Sequence, residues 1–331
     1  MDINQIAQMA GVSRATVSRY FNDGYVSQEK RDRIRAVVKA TGYSPSQHAK
    51  SLRTGKSNTV GVIIPKINSA SVSRMVAGMT PVFAERGYQV LLANTDNDAA
   101  REVSYLRLFE ERRQVDGVVL VATVFSDAHF AAMDDMSLPL VVLDQDLPGR
   151  SCVYQNDRGA LRDITAGALR TSEHPAYIGV FEEDESAGRD RHLGFLDACA
   201  EADVEVPERA QMIADFTVDA GYTAAEQLLD TYPEVDTIVC ATDSIAFGAM
   251  TCLREYGRRV PEDVQVTGVG DAELSQIVTP TLTTVHHHYK TSGAEAARML
   301  CEQLAGDATR REVRMSYEVV ARNSTRPAKN R

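Results

Sequence analysis

From Thr59 onward the chain alternates short runs of β-branched and other apolar residues with longer amphipathic stretches. This alternation constrains the fold more than any other feature. Continuous apolar runs belong in sheets covered on both faces, and parallel neighbours need a crossover, usually a helix. Nine runs read as strands: TVGVII, YQVLLAN, DGVVLVA and LPLVVLD, then AYIGVF, the stretch at 210–214, DTIVCA, VQVTGV and LTTVHH. Helices fall between them, one over residues 72–86 closing at Gly87 and another over 217–229. A weaker break near 157–160 divides the runs into two similar groups. The expected fold class is therefore α/β with a two-lobed body, and a ligand cleft is expected between the lobes, at the carboxyl ends of the strands.

The N-terminal stretch follows another rule. Ile3, Ile6, Ala7 and Ala10 are spaced as one helix face; after Gly11 the spacing resumes with Val17, Tyr20 and Phe21. That is the phrasing of a helix-turn-helix, and a short amphipathic hairpin without DNA affinity is the bland alternative. Ser13 is placed to cap the second helix, whose first turn, Arg14, Ala15 and Thr16, would enter a major groove. A third helix over 27–41 turns Ile34, Val37 and Val38 inward, carries Lys30, Arg31, Arg33 and Arg35, and stops at Gly42. Beyond Tyr43-Ser44-Pro45 the basic segment SQHAKSLRTGKS reads either as a helix ordered by a partner or as a solvated linker.

The charge is split between these parts. The whole chain carries −10, yet residues 1–56 hold ten Lys/Arg against four Asp/Glu, a local +6 that leaves −16 for the rest. Attraction to phosphate is decided by the local patch, so a cationic head on an anionic body is compatible with DNA. At 331 residues the chain exceeds one typical domain of about 100 to 200 residues. The longest apolar stretch, 117–125, is far below the roughly 18 residues of a membrane span, and MDINQIAQMA has no export-signal pattern, so a cytoplasmic protein is expected. The five cysteines lie singly in apolar surroundings and read as buried free thiols.

IAQMAGVSRATVSRYFN, followed by VSQEKRDRIRAVVKATGYSPSQHAKSLRTGKS, resembles the lactose-repressor (LacI/GalR) family in phrase, order and spacing. The resemblance implies an all-α helix-turn-helix head that reads half-sites of a near-palindromic operator. Arg14, Ala15 and Arg19 would read bases, while Ser13, Thr16, Ser18 and Asn22 would hold phosphates or cap. It also implies a hinge helix over 46–54, in which Leu52 wedges into the minor groove, Ala49 lets two hinges approach and Arg53 stands beside the DNA. The body resembles the family's periplasmic-binding-protein-like domain as far as VARNST, with two parallel sheets flanked by helices and three crossings between lobes. The corresponding divisions are a DNA-binding domain at 1–45, a hinge at 46–57, and an effector and dimerisation domain at 58–331. Within the last, one lobe is expected at 58–157 and 287–317, the other at 158–284 and 318–331.

Carried over position by position, the effector site comprises Asp144, Arg191, Thr242, Asp243 and Gly270-Asp271, together with Ser69, Ser71 and Ser73 from the loop 66–73. Arg191 offers a fork of donors to sugar hydroxyls and the aspartates accept from them. Tyr289 is placed to stack on a sugar face with His287 beside it. For Arg191 ligand contact is the favoured reading over a plain interlobe salt bridge, whereas Asp243 reads equally as a helix cap. Three departures mark this chain: SASV where many members have NPFF, Thr242-Asp243 for an Asn-Asp pair, and Gly270-Asp271 for Asp-Asp or Asp-Asn. KINSASVSRM, CATDSIAFGA, GVGDAELS and VHHHYKTSGAEAA look most like sucrose and trehalose operon repressors, which implies a disaccharide or its phosphate as effector.

The expected function is a non-enzymatic repressor of a carbohydrate operon, acting as a homodimer and released from DNA by a sugar, with no cofactor. Adjacent strand residues face opposite ways, so His286-His287-His288 does not read as one metal site. TGVGD lacks the third glycine and ribose-binding acid of a dinucleotide fingerprint, and neither GxSxG nor a P-loop occurs. A transporter's solute-binding protein shares such a body but has no use for the basic head. No leucine-heptad tail follows Arg322, so a tetramer held by a C-terminal coiled coil is not expected.

Overall fold

The computed structural model describes residues 1–22, 24–43 and 56–327, in two compact units, Met1–Asn58 and Thr59–Arg331. The hinge residues Ala49, Leu52 and Arg53 lie outside the described residues.

The first unit holds three helices: α1 (Ile3–Ala10), α2 (Arg14–Phe21) and α3 (Gln28–Thr41). Asp2 caps α1 in a reciprocal box with Gln5, and Gly11, at φ 61°, ends it where a Cβ would be strained. Ile6, Ala7, Ala10, Val17, Val26 and Ile34 form the buried core. Arg33 of α3 donates from Nε to the Ala10 carbonyl at 2.9 Å and from its terminal nitrogen to the Gly11 carbonyl, placing a cation at the carbonyl end of α1.

The second unit is built from two six-stranded sheets in orders β11-β5-β4-β3-β1-β2 and β12-β10-β9-β8-β6-β7. The first lobe contributes β1 (Thr59–Ile64), β2 (Gln89–Asn94), β3 (Gly117–Val121), β4 (Leu140–Leu143), β5 (Cys152–Gln155) and β11 (Glu312–Met315). The second contributes β6 (Pro175–Gly179), β7 (Gln211–Ile213), β8 (Thr237–Cys240), β9 (Gln265–Val269), β10 (Thr283–His287) and β12 (Tyr317–Val320). Read in matching order, the two sheets have the same strand order. Every neighbouring pair is parallel except β10 with β12.

Between β5 and the helix Asp157–Leu169 the chain passes from the first lobe to the second; between β10 and the helix Tyr289–Leu304 it returns, and between β11 and β12 it crosses again. Asp157 and His287 therefore sit at two crossings. All nine expected runs form strands, while β5, β11 and β12 are the three that the alternation does not announce. The helix expected at 72–86 is Ala70–Glu85, because Ser69 caps it two residues earlier.

Glycines set two helix contacts that matter for the cleft. A Cβ at Gly78 would lie 1.9 Å from the Lys290 carbonyl oxygen, and one at Gly293 would lie 2.1 Å from that of Met75. The helices Ala70–Glu85 and Tyr289–Leu304 thus touch backbone to backbone. Gly194 plays the same part in the second lobe, where a Cβ would meet the Arg158 carbonyl oxygen at 2.2 Å and force apart the helices carrying Arg191 and Asp157. All five cysteines are free and buried.

Candidate functional site

On the head, α2 carries the expected reading residues on one exposed face. Its cap is built from two hydroxyls: Ser13 accepts from the Thr16 amide at 3.2 Å, and the Ser13 and Thr16 hydroxyls lie 2.9 Å apart. Asn22 closes the other end by donating to the Ser18 carbonyl at 2.5 Å. Arg14, Ala15 and Arg19 are exposed, and neither guanidinium makes an ion pair or hydrogen bond among the described residues. Two uncommitted guanidiniums and a small side chain, presented by a capped helix, are what reading base edges requires.

In the body a cavity of about 330 Å³ opens at the carboxyl ends of the strands, between the lobes. Ser69, Ser71, Asp144, Arg191, Thr242, Asp243 and Tyr289 border it. Ser73, Asp271 and His287 do not. Ser73 is exposed and donates back to the Ile67 carbonyl at 3.4 Å.

Arg191 is 6% exposed, and its donors are largely committed. Nε donates to Asp157 Oδ1 at 2.7 Å and Nη1 to the Ala241 carbonyl at 2.7 Å. The salt bridge is thus within the second lobe rather than between lobes. Burial alone would push the Asp157 carboxyl up, but the Arg191 guanidinium, with His287 beside it, holds it down at about 2. His287 Nε2 lies 3.3 Å from the same Oδ1, and burial lowers the imidazole's pKa. Expected beside Tyr289 at the cleft, His287 is instead fully buried and does not border the cavity.

Asp144 follows β4 with φ 77°, a left-handed conformation that only a tightly determined site holds in a non-glycine residue. It is open to the cavity on one side and surrounded by protein on the others. Burial, then the charges of Asp157 and Asp184, raise its carboxyl to about 7 against the opposing pull of Arg191.

Thr242, not Asp243, caps the helix Asp243–Glu255, accepting from the Ile245 amide at 3.2 Å. Asp243 instead accepts from the Ala272 amide at 2.7 Å and the Thr284 hydroxyl at 2.5 Å. Asp271 is turned away by Arg322 of the VARNST stretch, which donates to Oδ1 at 2.6 Å, and by His286, whose Nδ1 lies 2.9 Å from Oδ2. The three adjacent histidines thus meet three different carboxylates: Asp271, Asp157 and Glu318.

Several cleft residues escaped the sequence reading. Arg74 crosses between lobes, donating to the Gly270 carbonyl at 2.5 Å and that of Asp271 at 3.3 Å, while its guanidinium lies 5.1 Å from the Tyr289 ring centre. Asp184, buried and with its pKa raised by burial, receives Gln145 Nε2 across the lobes at 2.9 Å and the Ala187 amide at 3.0 Å. Phe181 and Phe216, edge to face at 5.6 Å, supply apolar wall. Asp184 lies in the acidic run Glu182 to Glu185, indistinguishable there from a solvated surface.

Residues 2–46 match the model described as bacterial regulatory proteins, lacI family, and residues 169–325 match that of a periplasmic binding protein-like domain. The HTH-type transcriptional regulator RegA of Clostridium saccharobutylicum is 30% identical over 328 residues, covering 98% of either chain. This chain belongs to the lacI family of bacterial regulatory proteins. It is accordingly a DNA-binding transcriptional regulator and not an enzyme. The Sucrose operon repressor of Staphylococcus xylosus is 30% identical over 305 residues, 92% of this chain and 93% of that one. A solved transcriptional regulator CelR-cellobiose complex aligns with TM-score 0.76 and 28% identity over 98% of this chain and 99% of that chain.

Proposed function

We propose that this lacI-family regulator represses a carbohydrate-utilisation operon as a homodimer on a near-palindromic operator and is released when a small sugar enters the interlobe cleft. Arg14, Ala15 and Arg19 contact bases, with Ser13, Thr16, Ser18 and Asn22 holding the helix and the DNA backbone. Ser69, Ser71, Asp144, Arg191, Thr242, Asp243 and Tyr289 face the sugar, which is sucrose, trehalose or a phosphorylated derivative. The observation that carries this reading is the cavity of about 330 Å³, of the size small-molecule sites take, bordered by hydrogen-bonding side chains from both lobes. The names of two relatives, a sucrose operon repressor and a cellobiose complex, point the same way.

Because Arg74 and Gln145 already tie one lobe to the other, a ligand that enters must alter how the lobes close. Lobe closure biased by ligand is the two-state element, and the hinge and head read it. Two linked heads raise each other's effective concentration at paired half-sites.

DNase footprinting over the DNA upstream of the regulator's own operon tests this reading. A protected stretch with twofold symmetry, lost on addition of sucrose or trehalose, is the expected result. Protection that strengthens with sugar makes the protein a corepressor system, and the absence of any specific footprint at moderate salt refutes DNA regulation.

A further inference from the structure

Asp144 lacks what its neighbouring carboxylates have. Asp157 accepts from Arg191 Nε at 2.7 Å, with His287 Nε2 at 3.3 Å from the same oxygen, and Asp184 accepts from Gln145 Nε2 at 2.9 Å and the Ala187 amide at 3.0 Å. The Asp144 carboxyl is served by Gln155, whose Nε2 also donates to Ser292 Oγ at 3.2 Å. Arg191 stands close but commits Nε to Asp157 and Nη1 to the Ala241 carbonyl. Arg74, on the other side of Tyr289, donates to the Gly270 and Asp271 carbonyls.

The backbone fixes where the Asp144 side chain emerges. Its amide donates to the Val153 carbonyl at 2.8 Å, its carbonyl accepts from Ser186 Oγ of the other lobe at 2.9 Å, and φ between them is 77°. The carboxyl is thereby set between the cavity and the carboxylates of Asp157 and Asp184. Where carboxylates crowd around one guanidinium in a mostly buried site, a proton relieves the repulsion and settles on the group with the fewest donors. That group is Asp144. Its carboxyl is raised to about 7 by burial and by the charges of Asp157 and Asp184, against Arg191 and Gln155, while the Tyr289 hydroxyl beside it is pushed up by burial and adds no charge.

We propose that Asp144 meets the ligand as a neutral acid that donates its proton to a sugar oxygen, so that ligand binding weakens as Asp144 ionises. The proposal rests on the reading of the cleft as a carbohydrate effector site and deepens it by giving this residue a donor's part. An ionised carboxylate only accepts, and so serves hydroxyls alone; the neutral acid also serves a ring or glycosidic oxygen, which has lone pairs and no hydrogen.

Calorimetric titration of the full chain with sucrose, trehalose and cellobiose across a range of pH tests this. None of these sugars titrates near neutrality, so a pH profile reports the protein. For a sugar that binds, affinity should be at least about tenfold weaker at about pH 8.5 than at about pH 6, as the competent fraction falls. Repeated in buffers of different ionisation enthalpy, binding at the higher pH should take up about one proton, and at the lower pH almost none. In Asp144→Asn, whose amide also donates and tolerates a positive φ, the binding that remains should lose this dependence. In Asp184→Asn, whose amide oxygen still accepts from Gln145 and Ala187, one of the charges that raise Asp144 is gone and the midpoint of the fall should move to lower pH. A sugar bound equally well across the range, or a profile that neither variant changes, overturns the donor role and leaves the carbohydrate reading standing. Failure of every sugar at every pH overturns the carbohydrate reading and this inference with it.

Discussion

Arg191 reaches the ligand cleft while its Nε is held 2.7 Å from Asp157 Oδ1, and both residues lie on helices that touch where Gly194 meets the Arg158 carbonyl. Asp157 also stands 3.3 Å from His287, so one carboxylate joins the cleft to two of the three lobe crossings. Removing it should do more than loosen a salt bridge. Asp157→Ala leaves a buried guanidinium uncompensated, a cost of roughly 3 to 5 kcal/mol, readable in urea unfolding. Asp157→Asn should cost less and weaken sugar binding through a misplaced Arg191. A variant with wild-type stability and affinity contradicts this role.

Asp144 gives a pH dependence whose sign is set by its raised carboxyl. The folded state keeps a proton between about pH 4 and 7 that the unfolded chain has lost, so this residue's contribution to stability falls as pH rises through that window. Burial and the charges of Asp157 and Asp184 cause the rise, with Arg191 and Gln155 opposing. Asp144→Asn should therefore gain about 2 kcal/mol relative to the wild type at about pH 8 compared with about pH 5, allowing for the side open to the cavity. Denaturant midpoints at the two pH values measure it, and a gain confined to the lower pH reverses the assignment.

On the head, Arg14→Ala and Arg19→Ala should each weaken operator binding by about tenfold or more and relax preference at one base position in each half-site. Ser13→Ala removes the cap of α2 and should cost about 1 kcal/mol of stability without changing base preference. Binding to a library of single-base operator variants separates the two effects. Uniform weakening across all sequences would make the arginines phosphate contacts instead.

Arg74→Ala removes two interlobe hydrogen bonds and the contact over Tyr289. Backbone amides around Gly270 should lose hydrogen-exchange protection by about tenfold as the lobes separate more often. Unchanged exchange there would show that other contacts hold the cleft closed.

Much of this architecture was legible in the sequence. The apolar runs announced nine strands, and Gly11, Ser13 and Gly42 marked the helix ends of the head, because these signals depend on a few local residues. The strands β5, β11 and β12 were silent. Glu312–Met315 alternates between exposed and half-buried, Tyr317–Val320 has two exposed residues between half-buried ends, and both are edge strands, so no continuous apolar run appears. In the cleft, Asp144, Arg191, Thr242, Asp243 and Tyr289 came from resemblance alone; the residues by themselves carried no spacing that joins position 144 to 289. Arg74 and Asp184 were missed because a guanidinium that bonds carbonyls and an acid inside an acidic run look like solvated surface until the chain is folded. Asp271 and His287 were misplaced for the converse reason. Their partners, Arg322 and Asp157, are far away in sequence, and only the crossings bring them close enough to draw those side chains from the cleft.

The central claim is that the cleft governs the head, and fluorescence anisotropy of labelled operator DNA tests it most directly. The protein is bound to the DNA at moderate salt, then titrated with sucrose, trehalose and cellobiose. The account predicts that one neutral sugar lowers the anisotropy to that of free DNA in a saturable manner. Tight, specific binding that no sugar alters would contradict it.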